Sequence, residues 1–164
     1  MTIRTAFATL VTLLFVGCSD IPEIDQYFTF NVTRSATYSI PVTANNSSGS
    51  VSATVTNDIN DIEKRGTNAD NLRSAKITRV QLTGEGFNFN SLASARILIG
   101  QDTVADSLHS VNGEYLLQPR SIDVLDEMRS ASFPTTLEYQ TLSSIADSTH
   151  LTATFTITLT ALPR

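Results

Sequence analysis

Few side chains in this sequence can act as nucleophile, base or metal ligand. There is one cysteine, Cys18, and there are two histidines, His109 and His150. A catalytic thiol needs a neighbouring histidine or a positive environment to lower its pKa. Cys18 instead opens "CSDIPEID", where Asp20, Glu23 and Asp25 would raise it. A zinc site needs three or four convergent ligands. Each histidine stands without a nearby Cys or His, so both are expected on loop or strand-end surfaces. "NDINDIE" (Asn57 to Glu63) has part of an oxygen-rich calcium loop. Asp58 and Asn60 fit its start, but Ile62 takes the third ligand place and Glu63 stands where glycine is required. A calcium site near Asp58 and a solvated loop with capping side chains both stay open. "GTNADN" is equally partial. No Gly-x-Ser-x-Gly elbow is present. Asp123, Asp126 and Glu127 have the spacing of an exposed helix face. "GEGFNF" lacks the third glycine of a dinucleotide fingerprint. No catalytic residue, metal ligand or cofactor is assigned, and the chain is expected not to be an enzyme.

Cys18 has a different chemistry in view. Before it come a single positive charge, Arg4, and the apolar run "AFATLVTLLFVG". This is the layout of a secretory signal, and the run is short of the about 20 apolar residues that cross a bilayer. Phe15, Val16 and Gly17 lead directly into Cys18. The segment resembles the lipobox of bacterial lipoproteins, with Phe15 where that family usually has an aliphatic residue. The resemblance covers only about the first 20 residues. It implies cleavage after Gly17 and a lipid on Cys18, with two or three acyl chains, enough for stable anchoring. It also implies a Gram-negative cell envelope. Ser19 stands where an aspartate retains enteric lipoproteins at the inner membrane, so the outer membrane is expected.

Removal of 17 residues would leave about 147, one domain of ordinary size. With one cysteine no intramolecular disulfide can form, so the core must carry the fold. Net charge is −5 and the only lysines are Lys64 and Lys76. Without a basic stripe, nucleic-acid binding has no electrostatic basis. Serine and threonine abound, and β-branched threonine favours strands.

The elements follow from periodicity. In "LTATFTITLTA" (Leu151 to Ala161) every odd position is apolar and every even one is threonine. That predicts a strand with one buried and one wet face. "FTFNVTR", "YSIPV", "VSATVT" and "FPTTLEYQT" alternate similarly, and Pro41 predicts an edge or bulge. "AKITRVQLTG" slips phase, so a β-bulge is expected near Thr78 or Arg79. "SARILIG" and "EYLLQ" are denser and predict central strands. "ANNSSGS" (Ala44 to Ser50) predicts a hairpin loop, and "GEG" and "VNG" further turns. A short helix is expected from about Asp58 to Arg65, stopped by Gly66. A second is expected in "SIDVLDEMR", capped by Ser121 and docking through Ile122, Leu125 and Met128. Tyr38 and Tyr139 share the apolar phase. Only Tyr27 and Tyr115 remain as sugar-stacking platforms. No segment repeats at a fixed period.

These elements predict an all-β fold, an antiparallel immunoglobulin-like β-sandwich with one or two short helices. Residues 1–17 form the signal, 18–26 the anchor and a short acidic tether, and 27–164 the β domain. The expected function is a non-enzymatic interaction or scaffold module, held to the membrane by the lipid on Cys18, with a protein partner in the envelope. A small-ligand module for a lipid or glycan is the alternative, and hydrolysis a third.

Overall fold

A computed structural model describes residues 26–164; Cys18 and the signal segment lie outside the described residues. The strands are β1 (Phe28–Ile40), β2 (Ser48–Thr56), β3 (Leu72–Thr83), β4 (Leu92–Ile99), β5 (Asp102–Val111), β6 (Glu114–Pro119), β7 (Ser132–Thr141) and β8 (Thr149–Ala161). Two one-turn helices, α1 (Ile59–Glu63) and α2 (Leu125–Arg129), complete the chain. The strands form one antiparallel sheet in the order β1-β8-β3-β6-β5-β4-β7-β2. β1 and β2, at its two ends, pack against each other. The all-β class is therefore as expected, and the facing layers are halves of one curled sheet, nearly a barrel.

Alternation decides which side of the wall each residue meets. In β8, Leu151, Ala153, Phe155, Ile157, Leu159 and Ala161 are all buried, and the intervening threonines face outward. β1 pairs with β8 along its whole length, from Phe28↔Ala161 to Ile40↔Thr149. "FTFNVTR" and "YSIPV" are thus parts of one strand, with Val32, Ala36, Tyr38 and Ile40 in the same inward phase. The strand ends at Pro41, which cannot donate to a ladder. The expected bulge is present: the β3–β8 register shifts between Ile77 and Arg79. β4 and β6 are interior strands. Asn112 and Gly113, both with positive φ (53° and 83°), make the tight β5–β6 hairpin.

From its two ends inward the strand order sets β1 against β2, β8 against β7, β3 against β4 and β6 against β5, and the sequence carries a matching recurrence that periodicity did not disclose. Asn68, Leu72, Ser74, Ala75 and Ile77 recur at Asn88, Leu92, Ser94, Ala95 and Ile97. Each asparagine side chain caps a single 3₁₀ turn, Ala69–Asn71 or Phe89–Ser91. Each leucine is buried, and each following strand shifts register between Leu and Ser. β3 and β4 thus hold corresponding places in the two halves of the strand order.

β1 and β2 run antiparallel on either side of a seam that has no backbone ladder. "ANNSSGS" reverses the chain, but it does not close a hydrogen-bonded hairpin; Thr43 bridges instead to Ile145 in the β7–β8 loop. Side chains hold the seam. Tyr38 donates across it to Thr135 Oγ1 at 2.8 Å, and that hydroxyl donates to the Ala53 carbonyl at 3.2 Å. Lower down, the buried Arg34 donates from Nε to Asn57 Oδ1 (3.1 Å) and reaches the Asp58 carbonyl (3.2 Å) and Asp61 (3.4 Å).

α1 has the expected start and stop: Asp58 caps Asn60 N–H, and Gly66 follows at φ 82°. α2 begins later than expected. Ser121 is not its cap. Asp123 lies before the helix, where its carboxylate accepts from the N–H groups of Ala75 and Leu125, both at 3.0 Å. Tied to β3 in this way, the segment turns helical only at Leu125. Met128 is fully buried, with Ile122 and Leu125 packed at the margin of the core.

Candidate functional site

Both helices and Tyr27 lie at one end of the barrel, called the near end. The opposite, far end is built from the loops at 41–47, 84–91, 112–113 and 142–148. The far-end loops are stitched together. Thr43 and Ile145 exchange both backbone bonds at 3.1 Å. Leu142 N–H donates to the Ser91 carbonyl at 2.7 Å, and Ser144 N–H to Asn45 Oδ1 at 2.5 Å. Thr141 Oγ1, fully buried, accepts from Ser47 N–H at 3.0 Å. Phe89 stacks on Tyr115, with ring centroids 4.1 Å apart, which ties the 84–91 loop to β6. Loops cross-linked this way lose little entropy when a partner docks.

Among the described residues, three of the four large exposed apolar side chains sit at this end: Val42 (63% exposed), Leu142 (57%) and Val111 (44%). Tyr27, at the near end, is the fourth. The cations are divided as well. Lys64, Arg65, Arg120, Arg129 and Arg164 all lie in near-end loops or the C-terminal segment, whereas the far-end loops contain no lysine or arginine. They carry Glu85 and Asp147, both exposed. An open cleft of about 350 Å³ lies between the 84–91 and 142–148 loops, lined by Glu85, Phe87, Asn88, Ser143, Ile145 and Asp147 among others. No protein-family model, curated protein or solved structure matches the chain.

The residues singled out by sequence are scattered. His109 Nδ1 meets only the Ser107 carbonyl, at 2.9 Å. His150 is exposed at the far end of β8, opposite Ser39 of β1. The oxygen-rich stretch at Asn57 is used in packing. The Asn57 side-chain amide donates to the carbonyls of Glu127 and Ser130, both at 2.7 Å, and its oxygen accepts from Arg34. Among the described residues no three His, Cys, Asp or Glu side chains are grouped to hold a metal ion. Of the tyrosines offered as platforms, Tyr115 is half-buried against Phe89 and Tyr27 is exposed alone. Tyr38 and Tyr139 are core, as expected, and burial pushes the Tyr38 phenol up to about 12.

A second, larger concavity of about 760 Å³ lies open along the wall, lined by Ser50, Arg96, Asp106, Glu138 and Gln140 among others. Its charges are already matched. Arg96 pairs with Glu138 at 2.5 Å, and Asp106 pairs with Arg120, which holds its carboxyl below the usual carboxylate range. The far-end surface was missed in sequence because its parts come from four separate loops. The available signal was local: aliphatic residues at turns, as in "PVT", "SVNG" and "QTLSS", where polar side chains are usual.

Proposed function

We propose that this chain is a lipid-anchored, non-enzymatic interaction module of the bacterial cell envelope, and that its far end binds a protein partner. One observation carries the reading: a rigid loop surface with exposed Val42, Val111 and Leu142 at the end opposite the point where the chain enters the barrel. Aliphatic side chains on a preorganised surface are what an interface core is made of. The outer wall, with its rows of threonine and charged pairs, has the polar character of a barrel in water; a membrane-spanning barrel would show an apolar band there. The lipobox-like segment ending at Cys18 supports anchoring from the near end, which leaves the far end pointing away from the bilayer.

Photo-cross-linking in intact envelopes tests this. A benzoylphenylalanine at Val42 or Leu142 is expected to give the same single protein adduct, and one at Thr154 on the wall none. Adducts absent at every position would remove the interaction reading altogether.

A further inference from the structure

We infer that the cleft between β4 and the β5–β6 hairpin is a slot for an extended segment of the partner protein, in which an aspartate is followed by an aliphatic residue. The inference rests on the interaction-module reading and adds how the partner is held. The barrel supplies its own template. "LRSAKI" (72–77) on β3 recurs as "LASARI" (92–97) on β4. The two stretches meet their neighbours in the same register. Ala75 stands opposite Leu159 of β8 and Ala95 opposite Tyr139 of β7, each after the shift between Leu and Ser. The flanking bonds match too. Leu162 N–H donates to the Asn71 carbonyl at 3.1 Å, and Leu142 N–H to the Ser91 carbonyl at 2.7 Å.

On β3 the side away from β8 is filled. β6 pairs with β3 only from Val80 to Leu82. Below that the chain's own segment 122–124 takes the place of a strand. Asp123 bridges to Lys76, its carboxylate accepts from Ala75 N–H at 3.0 Å, and Val124 N–H donates to the Ala75 carbonyl at 2.8 Å. The Val124 side chain is buried. On β4 no described segment takes the corresponding place. β5 pairs with β4 only at Ile97–Ile99, and beyond it the β5–β6 register shifts around Ser107, whose φ is 58°. A bulge of this kind bends its strand. The open concavity of about 760 Å³ lies here, with Ala95 and Arg96 on one side and Asp106 and Ser107 on the other. The shared register turns the amide and carbonyl of Ala95 away from β7 and into this space, as Ala75 turns its own towards Asp123.

An unladdered strand edge is a template for another strand, and strand addition draws its affinity from main-chain hydrogen bonds. Arg96 holds the place of Lys76 but already pairs with Glu138. Recognition therefore rests on Ala95: a carboxylate on its N–H, which is a charge-assisted bond, and an N–H on its carbonyl. The slot runs towards the far end. Exposed Leu142, bonded to Ser91 just ahead of β4, and exposed Val111, the last residue of β5, stand at its mouth.

The probe is the chain's own segment as an acetylated, amidated peptide, "RSIDVL" (120–125). It is titrated into the mature chain from residue 18, carrying Cys18→Ala, with amide chemical shifts as readout. We expect shifts at 94–97 and 105–109, saturating with a Kd on the order of millimolar, as suits a short segment. The peptide with Asp123→Ala, and the peptide methylated on its valine nitrogen, should each bind roughly tenfold more weakly or worse. Equal binding by either modified peptide, no response at all, or shifts at 74–77 without shifts at 94–97 would each overturn the assignment. The cross-linking experiment stands apart: an adduct at Leu142 with no peptide response would keep the interface and discard the slot.

Discussion

Tyr38 shows how much one residue does in a sheet that does not quite close. Its ring is fully buried and its hydroxyl crosses the seam to Thr135. Alternation placed Tyr38 in the core, but no local pattern could pair it with a threonine 97 positions away. Arg34 is the opposite case. It occupies an inward position in an apolar row and is held there by Asn57, Asp58 and Asp61. Its charge hid the continuity of β1 in the sequence, because an arginine inside an alternating run reads as a break. Tyr38 gives a pH prediction. Its protonated form is favoured in the folded state, with the pKa near 12 against an ordinary value of 10.0. Its contribution to stability is therefore complete below about pH 10 and is lost as pH rises towards 12. Tyr38→Phe should cost about 1 kcal/mol at neutral pH and flatten the decline between those values. Denaturant unfolding across that range is the measurement, and parallel pH profiles for the two proteins would reject the account.

β8 was the most legible element, and β7 and the short α1 followed close behind. A strand that is buried on one face writes a period of two into its sequence, and a capped turn writes Asp58 and Gly66. What stayed illegible was set by other elements. The start of α2 depends on where β3 offers the Ala75 amide to Asp123. The likeness of β3 to β4 lies in polar and small residues around a register shift, where apolar periodicity is silent. The loop surface of the candidate site needed four turns to be brought to one end. β8 is flanked by β1 and β3, so its inner row should carry much of the core. Phe155→Ala is expected to cost about 3–5 kcal/mol, a large share of what a domain without disulfides has to spare. Thr156→Ala, on the outer row, should fall within about 0.5 kcal/mol. Equal losses at the two positions in thermal unfolding would mean that the wall is buried on both faces.

At the scale of the whole molecule the two ends differ in make-up. The near end gathers the helices, the C-terminal segment and the entry of the chain; the far end carries exposed Val42, Val111 and Leu142, and its loops hold no lysine or arginine. With lipid on Cys18, as proposed, Cys18→Ala should abolish fatty-acid labelling while the barrel still folds, since the described residues pack without it. Label persisting on the variant would rule out the anchor. Only Ser19 to Tyr27 then separate the lipid from β1. Nine residues reach at most about 30–32 Å, and Asp20, Glu23 and Asp25 are repelled by anionic headgroups within about one Debye length. The far end is thus carried at a limited height above the bilayer, set by the tether plus the length of the strands. A partner held in the same membrane would meet it at a high effective concentration, which falls as a flexible linker grows past the span it must bridge. Inserting about 30 Gly/Ser residues after Gln26 should therefore weaken function in a deletion strain while leaving the melting temperature unchanged. If the lengthened protein complements as well as its parent, the height of the barrel has no bearing on its partner, and the partner is to be sought free in solution.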